Sequence, residues 1–384
     1  MRCKLADICS KIGSGATPRG GKEAYCEKGI SLVRSQNVLD FSFSHDGLAF
    51  INNEQAAKLS NVEVFDGDVL LNITGDSVAR ACIMDSAFLP ARVNQHVAIV
   101  RGKKSHVLNR YLLYFLQWQK GYLLQLASAG ATRNALTKGM LEQLEIDLPS
   151  LDEQKRIVAI LGALDDKIEL NNKINENLEQ QATALFNNFY DQAETEISFT
   201  DVIQILGGGT PKTGESGYWG GKIPFFTPKD IGSPYTLNTE KTITEAGLAR
   251  CNSRLYPINT VFVTARGTVG KVGMAGVPMA MNQSCYALVG KGIHQLLVYF
   301  YTLKVIDRLR HKASGAVFDA VTTKDFESEH IMRLPESIEK VFLCAAEPMY
   351  QAILSNSIEN QKLAGLRDAL LPKLISGEID VSGI

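Results

Sequence analysis

Two hydrophobic patterns alternate along this chain of 384 residues and predict an α/β (α+β) fold. Short runs of Val, Ile and Phe at 69–73 and 261–264, bounded by Gly and Pro, predict buried β-strands. Apolar residues spaced alternately four and three apart predict a long helix from about Leu151 to about Tyr190. A second, less regular stripe predicts another long helix near the C-terminus, from about 336 to about 376.

The two long helices are expected to pack on each other as an antiparallel coiled coil. About 40 residues make a helix of ~60 Å, and a single apolar stripe of that length needs a partner. We expect Asp152 to cap the first helix, and Pro348 and Pro372 to kink or end the second. The contact line between the helices, called the seam below, is predicted at Ile157, Leu161, Leu164, Ile168, Leu178, Leu185, Leu354, Ile358, Leu366 and Leu370.

Asn171 and Asn175 also fall on seam positions, where apolar residues are the rule. One interpretation is that local drift of the pattern displaces them from the contact line, so that Ile174 faces inward instead. The other interpretation is that they fix the register and orientation of the helix pair, as buried asparagines do in coiled coils. The pattern supports both interpretations equally.

The chain contains an internal duplication. Three motifs recur in the same order: Gly-x-Thr-Pro at 15–18 and 208–211, Asn-Gln at 94–95 and 282–283, and Gly-Ala at 130–131 and 315–316. Their offsets are 193 (208 minus 15), 188 (282 minus 94) and 185 (315 minus 130), a drift that small deletions explain. A period of about half the chain is too long for a solenoid, whose repeats have about 20 to 50 residues. We therefore expect two copies of one strand-rich domain, each followed by a long helix.

Composition narrows the class of protein. The hydrophobic fraction of 45% is that of a globular chain, and no apolar stretch is long enough to predict a membrane span. The N-terminus lacks the apolar core of a signal peptide, and the seven scattered cysteines never form a Cys-x-x-Cys pair. We expect a cytoplasmic protein with reduced thiols. The net charge of −1 counts mildly against a bare DNA-binding domain, but a chain with separate DNA-facing and protein-facing parts can be locally basic.

Motifs for catalysis or cofactor binding fail on their spacing. The first glycine-rich loop is neither a P-loop nor a dinucleotide-binding loop, because Pro18 stands where the third glycine of the latter would be. Residues 187–190 weakly resemble the Asn-Pro-Pro-Tyr motif of adenine methyltransferases, but both prolines are missing. The six histidines are isolated from any metal motif. We therefore expect no catalytic residues, no metal and no cofactor.

Polar side chains cluster in the repeated strand-and-turn regions and form the candidate DNA-binding set. Arg, Asn and Gln have bidentate edges that fit guanine and adenine in the major groove, and Lys suits phosphates. Any single one is more often a solvated surface residue, but a set repeated on turns favours a reading surface. The set is Arg19, Arg34, Gln36, Asn37, Arg80, Asn94, Gln95, Arg133, Asn134, Lys212, Lys229, Arg266, Lys271, Asn282 and Gln283, with Asp319 near a matching place.

Three longer segments resemble the specificity subunits of type I restriction-modification systems. Leu-Asp-Glu-Gln-Lys-Arg-Ile at 151–157 is similar to the opening of that family's central conserved helix, and 178–186 is similar to its end. Residues 366–379 are similar to the C-terminal segment of that family. The order of motifs matches the family along nearly the whole chain. One departure is that the second helix begins at 336–340 without a Glu-Gln pair, so we expect its opening to pack differently.

The resemblance implies two target recognition domains, at 1–150 and 193–335, and two conserved helical spacers, at 151–192 and 336–384. Each domain would read one half of a split site in double-stranded DNA. Two methyltransferase subunits would dock on the helices and supply S-adenosylmethionine and catalysis, with adenine as the target base. Motor-nuclease subunits would join them for restriction.

Two competing functions differ from this expectation in what they require. A stand-alone pseudo-dimeric DNA-binding protein, such as a repressor or scaffold, should bind DNA tightly by itself. A self-sufficient methyltransferase would need a cofactor loop and a catalytic tetrapeptide, which this sequence lacks.

Overall fold

The two halves of the chain fold into the same succession of strands and helices. The structure is a computed structural model that describes residues 2–18, 20–128, 134–232, 234–312 and 320–383. The chain divides into unit 1, Met1–Ile168 with Lys362–Ile384, and unit 2, Glu169–Gln361. Each unit therefore combines one strand-rich domain with a part of each long helix.

Unit 1 and the first long helix contain the following elements. The strands are β1 (Arg2–Lys4), β2 (Cys9–Ser14), β3 (Ile30–Val33), β4 (Ala49–Ile51), β5 (Glu63–Val64), β6 (Val69–Asn72), β7 (Ala81–Ile83), β8 (Ala91–Val93), β9 (Val97–Gly102) and β10 (Glu145–Asp147). The helices are α1 (Leu5–Ile8), α2 (Asn53–Lys58), α3 (Asn109–Trp118), α4 (Lys120–Ser128), α5 (Lys138–Glu142) and α6 (Leu151–Tyr190).

Unit 2 and the second long helix repeat this succession. The strands are β11 (Thr195–Ser198), β12 (Ile203–Gly207), β13 (Trp219–Phe226), β14 (Tyr235–Thr236), β15 (Lys241–Ile243), β16 (Val261–Thr264), β17 (Val272–Ala275), β18 (Ala280–Met281), β19 (Cys285–Gly290) and β20 (His330–Arg333). The helices are α7 (Phe199–Val202), α8 (Glu245–Ala249), α9 (Gln295–Lys312), α10 (Thr323–Glu327) and α11 (Glu336–Ile375).

The sheets of the two units have matching strand orders. In unit 1 the orders are β2-β9-β6-β7, β4-β3-β8-β5 and β1-β10, and in unit 2 they are β12-β19-β16-β17-β14, β15-β13-β18 and β11-β20. The parallel pair of β3 with β8 recurs as the parallel pair of β13 with β18. This agreement confirms the expected α/β (α+β) class and extends the duplication from the sequence to the topology.

Strand β6 shows why the predicted strands are apolar throughout. Successive side chains of a strand point to opposite faces of the sheet. Val69 and Leu71 enter the core that α3 covers, whereas Leu70 enters the core shared with the second sheet. Strand β16 repeats the arrangement, with Val261 on one side and Phe262 on the other. A strand buried on both faces needs a continuous apolar run rather than an alternating one.

The long helices run antiparallel in both units. In unit 1, Asp165 of α6 pairs with Arg367 of α11, and Arg156 donates a hydrogen bond to the carbonyl of Ser382 at 3.0 Å. In unit 2, Asn171 and Asn175 of α6 bond residues of α11 in the same reversed order. Within the part of the chain that the structure describes, no helix is both long and apolar enough to cross a membrane.

Helix α6 begins at Leu151 as predicted, but its N-cap is Ser150 and not Asp152. The Ser150 hydroxyl accepts from the Glu153 N–H at 3.3 Å, and the Glu153 carboxylate accepts from the Ser150 N–H at 2.8 Å. This reciprocal pair is a capping box. Asp152 instead pairs with Lys155 at 2.9 Å, where it complements the positive end of the helix dipole.

Helix α11 continues through both prolines, so of the two predicted effects, a kink or an end, the end does not occur at Pro348. Ala346 and Tyr350, on either side of Pro348, are both buried against the unit 2 domain. This packing holds the helical path, although proline removes one backbone hydrogen bond. Pro372 lies in the last turn of the helix, three residues before Ile375.

The buried face of the helices differs in part from the predicted seam. Ile157 and Leu161 are buried, but Leu366 is 49% exposed, which corrects its assignment, and the neighbouring Arg367 is buried in its place. Arg367 is held there by Asp165. The other predicted seam residues are half-buried: Leu164, Ile168, Leu178, Leu185, Leu354, Ile358 and Leu370.

An asparagine cluster occupies the helix pair within unit 2. Asn171 is fully buried, and its Nδ2 donates to Asn360 Oδ1 at 2.8 Å. Asn356 Nδ2 donates to Asn175 Oδ1 at the same distance of 2.8 Å. Ile174 is 40% exposed, which excludes the interpretation that it replaces Asn171 at the contact line. The asparagines therefore lie between the helices, as the register hypothesis requires.

Candidate nucleic-acid interface

Loops that follow four strands of unit 1 meet at one end of its sheets. The Gly15 N–H donates to the Asn94 carbonyl at 3.0 Å, and the Asn94 N–H donates to the Val33 carbonyl at 3.0 Å. The Ile73 N–H donates to the His96 carbonyl at 2.9 Å. We call the surface formed by loops 15–18, 34–48, 73–80 and 94–96 rim 1.

The corresponding loops of unit 2 are joined by similar backbone hydrogen bonds, of which the glycine bond is shifted by one residue relative to unit 1. The Asn282 N–H donates to the Phe226 carbonyl at 2.9 Å, and the Ala265 N–H donates to the Ser284 carbonyl at 2.9 Å. The Gly209 N–H donates to the Met281 carbonyl at 3.0 Å. We call the surface formed by loops 208–212, 227–232, 265–271 and 282–284 rim 2.

The repeated Gly-x-Thr-Pro and Asn-Gln motifs contact each other in both rims. The Thr17 hydroxyl donates to Gln95 Oε1, and the Thr210 hydroxyl donates to Gln283 Oε1. We call the residues Thr17, Asn94 and Gln95 corner 1, and Thr210, Asn282 and Gln283 corner 2. Sequence reasoning did not single out Thr17 or Thr210 as site residues, although the recurrence of their motif was the available signal.

The asparagine of each corner shapes the turn and does not face outward. Asn94 is buried, and its Oδ1 accepts from the His96 N–H at 2.9 Å. Asn282 Oδ1 accepts from the Ser284 N–H at 3.0 Å in the same way. An asparagine that bonds its own backbone two residues further on stabilises a tight turn. The prediction that Asn94 reads DNA is therefore corrected, whereas Gln95 and Gln283 are exposed at the tips.

Three predicted reading residues of rim 1 hold the tip of their own loop, at 44–47, instead. Asn37 is fully buried and its Nδ2 donates to the Ser44 carbonyl at 2.9 Å, so it cannot contact DNA. Arg34 is half-buried, donates to the Gly47 carbonyl and lies over the Tyr25 ring. Gln36 is exposed, but its Nε2 also lies 3.3 Å from the Gly47 carbonyl.

The loop that these residues hold is a part of rim 1 that sequence reasoning missed. Both His45 and Asp46 are exposed on it, and the His45 ring stacks on Phe88 with centroids 5.4 Å apart. No periodicity or repeated motif marks this loop, because unit 2 connects the equivalent strands differently. Its position follows only from the hydrogen bonds of Arg34, Gln36 and Asn37.

Rim 2 carries four exposed cations. Lys212, Lys229, Arg266 and Lys271 form no side-chain ion pair or hydrogen bond with any other described residue. The loop of Arg266 is tied to the loop of Lys229, since the Thr268 hydroxyl donates to the Pro228 carbonyl at 3.1 Å. Unpaired cations on joined loops attract an anion without first breaking an ion pair.

Rim 1 has fewer cations within the described residues. Arg80 is half-buried and Asn134 is exposed, and the Asn134 carbonyl accepts from the Gly75 N–H at 3.2 Å, which joins it to the rim. Arg19 and Arg133, both in the predicted set, lie outside the described residues, as do Asp319 and the repeated Gly-Ala pairs at 130–131 and 315–316.

In the described ranges, no group of three or more His, Cys, Asp or Glu residues is placed to hold a metal ion. Cys285 follows corner 2, but burial raises the pKa of its thiol to about 12, so it stays protonated at neutral pH. Tyr190, the last residue of the methyltransferase-like segment, packs on Phe186 at 5.5 Å inside the unit 2 core.

Comparison with known proteins gives consistent results. The family described as the type I restriction modification DNA specificity domain matches residues 2–180 and 194–341. The MjaIX specificity subunit of a type I restriction enzyme from Methanocaldococcus jannaschii is 24% identical over 98% of this chain and 93% of its own length. The HindI specificity subunit from Haemophilus influenzae is 22% identical over 91% of this chain and 94% of its own length.

The fold is also found among solved structures. The S subunit of a type I restriction-modification system from M. genitalium superposes with a TM-score of 0.59 and 13% sequence identity. The superposition covers 98% of this chain and 96% of that one. The whole length of the chain, and not one domain alone, therefore has a structural counterpart.

Proposed function

This chain belongs to the type I restriction-modification DNA specificity family, and from that premise we propose that it reads a bipartite DNA site, one half with each rim. The observation that carries the proposal is the pair of rims. Two of the hydrogen bonds that join their loops are equivalent, yet most of their exposed side chains differ. Two copies of one backbone framework that carry different exposed side chains are suited to the recognition of two unlike half-sites.

The exposed groups of rim 2 fit this role chemically. Lys212, Lys229, Arg266 and Lys271 supply cations for phosphates or guanine edges. In rim 1, Gln36, Gln95 and Arg80 offer amide and guanidinium groups. Since phosphate contacts release counterions, DNA affinity should weaken steeply with salt. The net charge of −1 for the whole chain then reflects acidic surface elsewhere.

We further propose that α6 and α11 act as spacer and as the docking surface for two S-adenosylmethionine-dependent methyltransferase subunits. Leu170 and Ile174 on α6 are 53% and 40% exposed, and such apolar side chains are suited to burial under a partner. Catalysis would belong to these partners, and cleavage to motor-nuclease subunits. The chain itself would be a non-catalytic, cytoplasmic subunit without a cofactor.

A stand-alone pseudo-dimeric DNA-binding protein is disfavoured by the family match over both halves of the chain. The test of the proposed function exchanges residues 1–150 for those of another family member and assembles the hybrid with its methyltransferase subunits. Methylome sequencing should show one half of the motif changed and the other half kept. The matched control exchanges residues 193–335 and should change the opposite half. A change of both halves in either hybrid would refute separate reading by the two units.

A further inference from the structure

The two corners are the places where the rims are chemically alike. Corner 1 and corner 2 have the same three residue types, the same bond from threonine to glutamine, and the same asparagine-stabilised turn. Apart from the cations Arg80 and Lys271, which occupy equivalent places, the rest of the rims diverge: Lys229 of rim 2 lies in the loop that corresponds to the loop of His45 in rim 1. A feature that two different reading surfaces share fits a ligand feature that two different half-sites share.

The hydrogen bond from threonine decides what each glutamine can offer. With Oε1 of Gln95 or Gln283 occupied by a hydroxyl donor, the outward-facing group is the Nε2 amide, which donates. In unit 1 this nitrogen also lies 3.0 Å from His96 Nε2, which leaves one of its two protons for a ligand. A bidentate contact with adenine needs Oε1 to accept a second hydrogen bond while Nε2 donates, but the threonine already holds Oε1, so the group that each amide presents to a ligand is its donor. They therefore suit a ligand that presents acceptors alone.

We propose, on the basis of the proposed function, that Gln95 and Gln283 each donate a hydrogen bond to a phosphodiester oxygen of the DNA backbone, one in each half-site. The backbone is the acceptor that every half-site contains whatever its sequence. Thr17 and Thr210 are positioning residues that turn the amide nitrogen outward. Asn94 and Asn282 hold the turn on which the glutamine stands. Base reading is then left to the rim side chains that differ between the units.

The experiment uses the full chain assembled with its methyltransferase subunits, and measures affinity for DNA that carries the motif and for DNA altered in one half. Gln95→Ala and Gln283→Ala should each weaken binding to both DNAs by about tenfold, the scale of one hydrogen bond to a charged acceptor. The ratio between the two affinities should not change. The salt dependence should also stay the same, because glutamine carries no charge to release counterions.

The positioning residues are tested by paired variants. Thr17→Val and Thr210→Val keep the side-chain shape but remove the hydroxyl, and should weaken binding by about threefold to tenfold on both DNAs. Thr17→Ser and Thr210→Ser keep the hydroxyl and should restore wild-type affinity. Gln204→Ala, at an exposed glutamine on β12, is the matched control and should change nothing.

Methylome sequencing of each variant separates the outcomes. An unchanged motif with a uniform loss of affinity supports the proposal. A motif that becomes relaxed or altered in one half would show that the glutamine reads a base and would overturn it, as would glutamine variants that bind like wild type. The wild-type complex tests the proposed function separately, since that function fails if no bipartite motif is methylated at all.

Discussion

The two units differ most where their strand-rich domains meet the long helices. Equivalent residues of α6 and α11 are 185 apart (336 minus 151). In unit 2, the Phe186 ring stacks on Phe300 at 4.9 Å and meets Phe342 edge-on at 5.4 Å. In unit 1, the residue equivalent to Phe186 is Leu371, and Ile157 replaces Phe342. At this contact between domain and helices, called the joint below, these helix side chains are aromatic in unit 2 and aliphatic in unit 1.

A second set of equivalent positions extends the contrast, because unit 1 has charged side chains on the helices where unit 2 has an aromatic ring. The Arg367 guanidinium donates to Asp165 at 2.9 Å and lies over the Phe41 ring at 3.6 Å. The Tyr114 hydroxyl donates to the same carboxylate at 2.7 Å. In unit 2, the residue equivalent to Asp165 is Tyr350, which meets the Tyr299 ring at 5.8 Å.

This difference shows that the duplication preserves the backbone arrangement but not the side chains at the joint. The order of the central strands and two of the backbone hydrogen bonds that join the loops are the same in both units, because they depend on the turn motifs and on the apolar strand runs. The joint needs only a filled volume and satisfied polar groups, which aromatic rings or a buried ion pair can both supply. The units are therefore expected to respond differently to substitutions at equivalent positions.

Phe186→Ala should give the largest loss of stability. The side chain is 1% exposed and contacts several rings, so its removal should lower the free energy of unfolding by about 4–5 kcal/mol. The equivalent Leu371→Ala in unit 1 should cost about 2–3 kcal/mol. Denaturant titration measures both losses, and hydrogen exchange should locate the first in unit 2 and the second in unit 1.

Leu170→Ala serves as the control for this pair, because Leu170 lies on α6 and is 53% exposed. Its loss should stay within about 0.5 kcal/mol. If Phe186→Ala cost no more than this control, the aromatic joint would not support unit 2.

Arg367→Ala should have the next largest effect, about 2–3 kcal/mol. It leaves the nearly buried Asp165 carboxylate without a cation, and such losses reach about 3–5 kcal/mol when water is fully excluded. The double variant Arg367→Met with Asp165→Asn removes both charges and should unfold within about 1 kcal/mol of wild type. Thermal or denaturant unfolding measures the comparison. A double variant as unstable as Arg367→Ala would show that lost packing on Phe41, and not the unpaired charge, causes the effect.

Strong local patterns allowed much of this fold to be predicted from the sequence. The apolar run at 261–264 coincides with β16, and the four-and-three spacing coincides with α6 from Leu151 to Tyr190. These elements are predictable because a long periodic pattern has few alternative structures. The seam was less predictable. Both helices also bury residues against a strand-rich domain, as Phe186 does against Phe300 in unit 2 and Arg367 against Phe41 in unit 1.

The site was harder to predict than the fold. Asn, Gln and Arg favour turns both when they bond the backbone and when they face a ligand, so sequence alone does not separate Asn37 or Asn94 from Gln95. Only the hydrogen bonds show that Asn37 holds the loop at 44–47.

The opening of the second helix was expected to pack differently. Glu339, buried beside Arg333, stands where Gln154 makes hydrogen bonds to the backbone in unit 1.

Glu179→Gln should have the smallest effect on stability, and this effect should depend on pH. Burial raises the pKa of the Glu179 carboxyl above its ordinary value of 4.5, although a hydrogen bond with Tyr299 opposes the shift. A carboxyl whose pKa is raised in the folded state favours folding while it is protonated. That contribution is full below the unfolded pKa and is lost as pH rises through the folded pKa.

Unit 2 should therefore lose a little stability as pH rises from about 4.5, and Glu179→Gln should remove that loss. The equivalent residue in unit 1 is Ala364, which cannot titrate. Hydrogen exchange at several pH values should show the change in unit 2 alone, and a variant with the wild-type pH profile in unit 2 would contradict this assignment.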